Sequence, residues 1–167
     1  MNKFLHDISK TGFALAVLFL TAGVAMAQTD KKEVRAGNRN FKKEKWQEAE
    51  IDYRRALVKD SLSFAANYNL ANALYKQENM EEAAKLLDKV QEQAPTMETS
   101  HASDYYYNTG NVAAKVKQWQ QAVDTYKEAL LRNPGDLDAK ENYIYAKKML
   151  ENQQNQNKDQ QDHPSVL

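Results

Sequence analysis

Tyr106–Pro134 reads YYNTGNVAAKVKQWQQAVDTYKEALLRNP. Within it Gly110, Trp119, Ala122, Tyr126, Ala129 and Pro134 fall at offsets of nine, three, four, three and five residues. Small residues at such offsets sit where two antiparallel helices come closest, and large ones fill the gap between hairpins. Upstream, the same offsets return in Gly37, Trp46, Ala49, Tyr53, Ala56 and Ser61, and again in Ala71, Met80, Ala83, Leu87, Val90 and Pro95. Ala49 to Ala83 is 34 residues and Ala83 to Ala122 is 39, so the third unit follows a five-residue insertion, which we place in a loop from Gln93 to Ala102.

These residues resemble the tetratricopeptide repeat, a helix-turn-helix unit of 34 residues. The resemblance covers about Asp30 to Leu150 and implies an all-α solenoid of three repeats, at about 30–63, 64–97 and 103–136, closed by a capping helix at 136–152. Arrays of this kind end in such a helix because the last unit leaves an apolar face open. Tyr143, Ala146, Met149 and Leu150 supply its buried stripe. Residues 153–167 are rich in Gln and Asn and read as a disordered tail.

The first 27 residues have the build of a signal peptide: Lys3 and Lys10, the apolar run Gly12 to Leu20, and Ala25-Met26-Ala27 before Gln28. The expected mature array is 28–150, exported to the periplasm; an uncleaved segment would instead tether it to the inner membrane. The chain has no cysteine, so helix packing rather than disulfides must hold it. Basic and acidic side chains balance at 23 each, which excludes a global field for nucleic acid or a membrane surface. Locally the balance shifts. Lys31 to Lys59 holds ten basic and five acidic residues, and Asp60 to Asp138 holds seven and twelve.

In a tetratricopeptide array the first helix of each unit lines the concave side. There Asn69, Asn72 and Lys76 are spaced three and four apart, on one helical face. Asn108, Asn111 and Lys115 repeat the pattern, Arg35, Asn38 and Lys42 vary it, and Asn142 begins it again. Asn is a mediocre helix former, but its amide both donates and accepts, so such a row can hold an extended peptide backbone. The same row could instead bond neighbouring helices and set the stacking angle. Tyr68 and Tyr107 hold equivalent places and are candidates for stacking on a ligand, and at least one of Tyr105, Tyr106 and Tyr107 should be exposed.

Tetratricopeptide domains that clamp a terminal carboxylate use two Asn and three basic residues. Here Asn38 and Asn69 fit the amide places while Val34, Asp104 and Asn108 occupy the basic ones; one unit later Asn72 and Asn108 fit, with Tyr68, Asp138 and Asn142 in the basic places. A clamp of that type is not expected. His101, Ser103 and Asp104 cluster, and we read them as a loop and a helix start rather than a catalytic set. The three histidines have no metal-ligand spacing and the five glycines form no phosphate loop, so neither metal, cofactor nor enzymatic activity is expected.

The reading is thus a non-enzymatic protein-interaction scaffold, with an assembly factor for unfolded envelope proteins as the alternative and a small exported hydrolase as a third. Asn142 to Leu150, NYIYAKKML, together with the Gln/Asn-rich tail, resembles the tetratricopeptide component of Bat (aerotolerance) operons in Bacteroides-type bacteria. That resemblance implies membrane-anchored partners with von Willebrand factor A domains.

Overall fold

A computed structural model describes residues 30–162. The readings of residues 1–27 and of 163–167 lie outside the described residues. Among the described residues seven α-helices follow one another: α1 Lys31–Phe41, α2 Trp46–Lys59, α3 Phe64–Lys76, α4 Met80–Val90, α5 Thr99–Lys115, α6 Trp119–Arg132 and α7 Leu137–Asp162, with a 3-10 helix at Gln91–Thr96. Helices pair as hairpins α1–α2, α3–α4 and α5–α6. The hairpins stack through α2 on α3 and α4 on α5, and α7 covers α6. The first helices also touch in series, α1 to α3 to α5 to α7, and so form one continuous face.

The repeated offsets are the packing code. Ala49, Ala83 and Ala122, and likewise Ala56, Val90 and Ala129, are completely buried. Tyr53, Leu87 and Tyr126 fill the gaps beside them. A Cβ placed on Gly110 would lie 2.6 Å from the Tyr126 ring, and one on Gly37 would meet the Tyr53 ring closer still. Helical glycine is therefore the partner of tyrosine here. In the second unit Ala71 stands at the glycine place and Leu87 at the tyrosine place, a smaller side chain opposite a slightly larger one. Volume is conserved across the contact, as close packing requires.

Each hairpin turns the same way. Glu44, Glu78 and Lys117 adopt left-handed φ values of 58°, 63° and 61°. The following N–H groups, of Lys45, Asn79 and Gln118, donate back to Asn40, Leu74 and Ala113 five residues earlier, closing Schellman-type helix ends. Asn79 then caps α4, its side chain accepting from the Glu82 N–H at 3.3 Å while its amide donates to the Glu82 carboxylate. This is the first half of a capping box; the second is absent, because the Asn79 backbone N–H donates to the Leu74 carbonyl and Glu82 reaches only the side-chain amide.

Three boundaries differ from the sequence reading. The stretch expected as a loop from Gln93 to Ala102 is structured: α4 ends at Val90, a 3-10 helix carries the chain past Pro95, and α5 begins at Thr99. Ser103 is accordingly not a helix start. Buried Ala102 anchors this extra turn, with Met97 and Ala102 at the two places of a hydrophobic staple around Glu98. His101 thus belongs to a helix rather than a loop. At the other end α7 does not stop at Asn152 but runs to Asp162. Gln, Asn, Lys and Asp contain no breaker, and a helix already nucleated propagates through them at little cost. Residues 151–158 are exposed, so this extension rests on no packing.

Candidate functional site

The continuous face of first helices carries the asparagine row, and two identical bonded triads occur along it. Tyr53 donates its hydroxyl to Asn38 Oδ1 at 2.8 Å, and Asn69 Nδ2 donates to the same oxygen at 3.0 Å. Tyr126 donates to Asn111 Oδ1 at 2.8 Å, and Asn142 Nδ2 donates to it at 3.1 Å. In each triad a tyrosine of the second helix fixes an amide of the first, which then receives the amide of the next unit. The triads stitch α1 to α3 and α5 to α7. Burial raises both phenol pKa values well above the ordinary 10, so both hydroxyls stay protonated donors.

The second unit breaks this pattern. Asn72 stands where Asn38 and Asn111 stand, but Leu87 replaces the tyrosine and offers no hydroxyl. Asn108, the next amide in line, donates to the Tyr68 hydroxyl at 2.6 Å. Burial raises the Tyr68 phenol, and bonds from Asn72 and Asn108 partly offset that rise. Asn72 is half-buried and lines a cleft with Asn38, Phe41, Lys42 and Asn69.

A second cleft lies between α3 and α5, lined by Phe64, Tyr68, Asn69, Met97, His101 and Asp104. Tyr68 stacks on Phe64 with ring centres 5.6 Å apart, so one face of its ring is already used. A third cavity, toward α7, takes in Asn111, Lys115, Tyr126 and Asn142. Of the predicted residues, Arg35 is exposed on α1 and lines none of these three clefts. Lys76 lies 6.0 Å over the Trp46 ring. Tyr107 packs at 6.1 Å from Tyr126 and accepts a long bond, 3.4 Å, from Asn142. The expectation that one of the three consecutive tyrosines is exposed does not hold. Tyr105 is buried with its hydroxyl on the Leu87 carbonyl at 2.9 Å, Tyr106 lies under the Arg132 guanidinium at 4.3 Å, and Tyr107 is half-buried.

Sequence reasoning missed Phe41, Phe64, Met97 and Asp104 as cleft residues, and on the third cavity Tyr75, Lys117, Trp119, Tyr145 and Met149. Lys117 left a readable signal, since the repeat offsets align it with Glu44 and Glu78. His101, Ser103 and Asp104 assemble no catalytic set: His101 Nδ1 lies 3.7 Å from exposed Glu98, while the Ser103 hydroxyl is buried on the Ala129 carbonyl at 3.2 Å. Among the described residues no group of three His, Cys, Asp or Glu is placed to hold a metal ion.

Tetratricopeptide repeat family models match residues 34–98 and 103–136. The protein STIP1 homolog of Dictyostelium discoideum is 29% identical over 105 residues, covering 62% of this chain. This chain spans 19% of that relative's length. Among solved structures, the first repeat domain of Spaghetti (RPAP3) bound to the HSP90 peptide SRMEEVD superposes with a TM-score of 0.66 at 18% identity, covering 74% of this chain and 94% of that one. The TPR2B domain of yeast Sti1 in its pHsp70 complex gives 0.62 at 21% identity, covering 71% and 96%. Repeat offsets, stacked hairpins and two matching models agree: this chain belongs to the tetratricopeptide repeat family.

Proposed function

We propose that this protein is a non-enzymatic scaffold that holds an extended segment of a partner protein along the face formed by α1, α3, α5 and α7. The observation that carries this is the break in the triads. Two of the three equivalent amides accept from a tyrosine hydroxyl of the second helix of their own hairpin, whereas Asn72, opposite Leu87, has no such donor and lies at the wall of an open cleft with the Tyr68 hydroxyl beside it. An amide there can satisfy a peptide N–H and C=O at once.

Several similar structures hold chaperone peptides, and this groove differs from a terminal-carboxylate clamp in its cations. Asp104 stands at one basic place, Val34 is buried at another, and the Asn108 amide is engaged with Tyr68. A peptide ending in EEVD would bring its carboxylates toward Asp104. The partner therefore presents an internal segment rather than a chain end of that type.

The leader-like residues 1–27 support a place in the cell envelope, and the NYIYAKKML stretch supports membrane-anchored partners with von Willebrand factor A domains and a role in aerotolerance. Among the described residues no helix is long and apolar enough to cross a membrane. Crosslinking in intact cells, with Asn72→Ala beside the natural chain, tests the reading. One dominant protein captured, and lost in the variant, supports a dedicated scaffold. Many clients captured alike would favour an assembly factor.

A further inference from the structure

The turn between the helices of each hairpin puts one side chain in the left-handed region. Two of the three are glutamates, Glu44 and Glu78; the third is Lys117. That reversal of charge falls beside Lys115, the last residue of α5, and both lysines line the cavity at the α7 end of the groove. The cavity measures about 380 Å³. Lys115 and Lys117 are its only charged lining residues, and among the described residues neither is in an ion pair.

Its wall is aromatic. Trp119 and Tyr145 meet edge to face at 6.0 Å, and Tyr145 remains 55% exposed although large and apolar. Met149 adds an adaptable thioether beside them. At the floor the Asn111 oxygen is already saturated by Tyr126 and Asn142. What is left to a ligand is a pair of cations over an apolar wall.

We propose that this cavity is the specificity pocket of the groove and takes an acidic segment of the partner. One Asp or Glu carboxylate sits between Lys115 and Lys117, and a neighbouring aromatic or long aliphatic side chain lies on Trp119 and Tyr145. The proposal rests on the groove reading and adds the partner's chemistry. A nucleic acid is the poorer occupant, because Asp60 to Asp138 holds twelve acidic against seven basic residues and repels a polyanion, while a single carboxylate needs only the local pair. The neighbouring cleft reverses the sign with Asp104, so register along the groove is charge-coded.

The test is an NMR titration of the 15N-labelled chain with a capped hexapeptide alternating Glu with Phe and Leu, against the same peptide with Gln for Glu. The expected result is shifts centred on residues 114–119 and 142–149, with the Glu peptide at least tenfold tighter at low salt and the difference shrinking as salt rises. Lys117→Glu, which installs the residue found at Glu44 and Glu78 and so suits the turn, should abolish that preference, and Lys115→Gln/Lys117→Gln should reduce it to parity. Equal binding of both peptides, or shifts confined to α1 and α3, overturns the pocket while leaving the groove intact. No shift anywhere on the α1, α3, α5 and α7 face overturns both.

Discussion

Gly110 and Tyr126 show how much a single contact decides. A methyl group on Gly110 would enter the Tyr126 ring, and overpacking of this kind costs about 1–3 kcal/mol against a gain of about 1 kcal/mol in helix propensity. Gly110→Ala should therefore lower stability by up to about 2 kcal/mol in urea unfolding, and adding Tyr126→Leu should recover part of that loss by copying the Ala71–Leu87 pair. A stabilised Gly110→Ala chain would refute the packing account. Glu78 runs the other way: its φ of 63° is one that glycine adopts freely, so Glu78→Gly should leave stability level or raise it by up to about 1 kcal/mol. The asparagines separate by the same logic. Asn111→Ala leaves the Tyr126 hydroxyl unpaired and should cost about 1–3 kcal/mol, whereas Asn72→Ala removes only one of the two amides beside the Tyr68 hydroxyl, Asn108 keeping its bond there, and should cost no more than about 1 kcal/mol. The glycine and tyrosine places were legible because the offsets are local. The hydroxyl that each amide receives was not, because Tyr53 to Asn38 and Asn69 to Asn38 are contacts set by how the hairpins nest.

Among the elements, the junction of α4 with α5 is thinner than those of α2 with α3 or α6 with α7, as the inserted residues require. It is held in a particular way. At the end of α4 the Gln91 N–H turns to Asp88, and the Leu87 carbonyl receives the Tyr105 hydroxyl from the next unit. Helix ends leave carbonyls without partners, and here a tyrosine across the joint supplies one. Tyr105→Phe should cost about 1–3 kcal/mol and speed amide exchange in α4 and the 3-10 helix more than in α1 or α7. Uniform exchange would mean that the joint is not weak. The end of α7 makes the opposite case: with residues 151–158 exposed, truncation after Asn152 should shift the melting temperature by no more than about 2 °C while removing helical circular dichroism. The repeated offsets that end at Ser61, Pro95 and Pro134 placed the hairpins correctly. Where sequence reading failed, at Thr99 and past Asn152, one boundary depended on burial of Ala102, and the other on a helix continuing through residues that neither break it nor pack.

At the scale of the whole molecule, three buried phenols distributed over the array tie its stability to alkaline pH. Burial pushes the Tyr105 phenol up to about 12 and those of Tyr53 and Tyr126 higher, from an ordinary value of 10.0. An acid whose pKa is higher in the folded chain keeps its proton there while the unfolded chain releases it. Their contribution is therefore complete below pH 10 and declines as pH rises beyond it. Each tyrosine removes about 1.4 kcal/mol per pH unit in that window, so the three together remove about 4 kcal/mol per unit. A domain of this size has a stability of roughly 5–15 kcal/mol. Cooperative loss of the helical signal is expected between about pH 11 and 13, accompanied in the same step by the phenolate absorbance of these three residues. Tyr105→Phe should lessen the slope by about a third. On the acid side the sign is opposite but the effect slight: the Lys59 ammonium holds Glu33 below its ordinary range, a stabilisation present above that range and lost as pH falls through it. Phenolate absorbance of all nine tyrosines rising together near pH 10, in a chain still fully helical, would show that Tyr53, Tyr105 and Tyr126 are not sealed in the core as the structure places them.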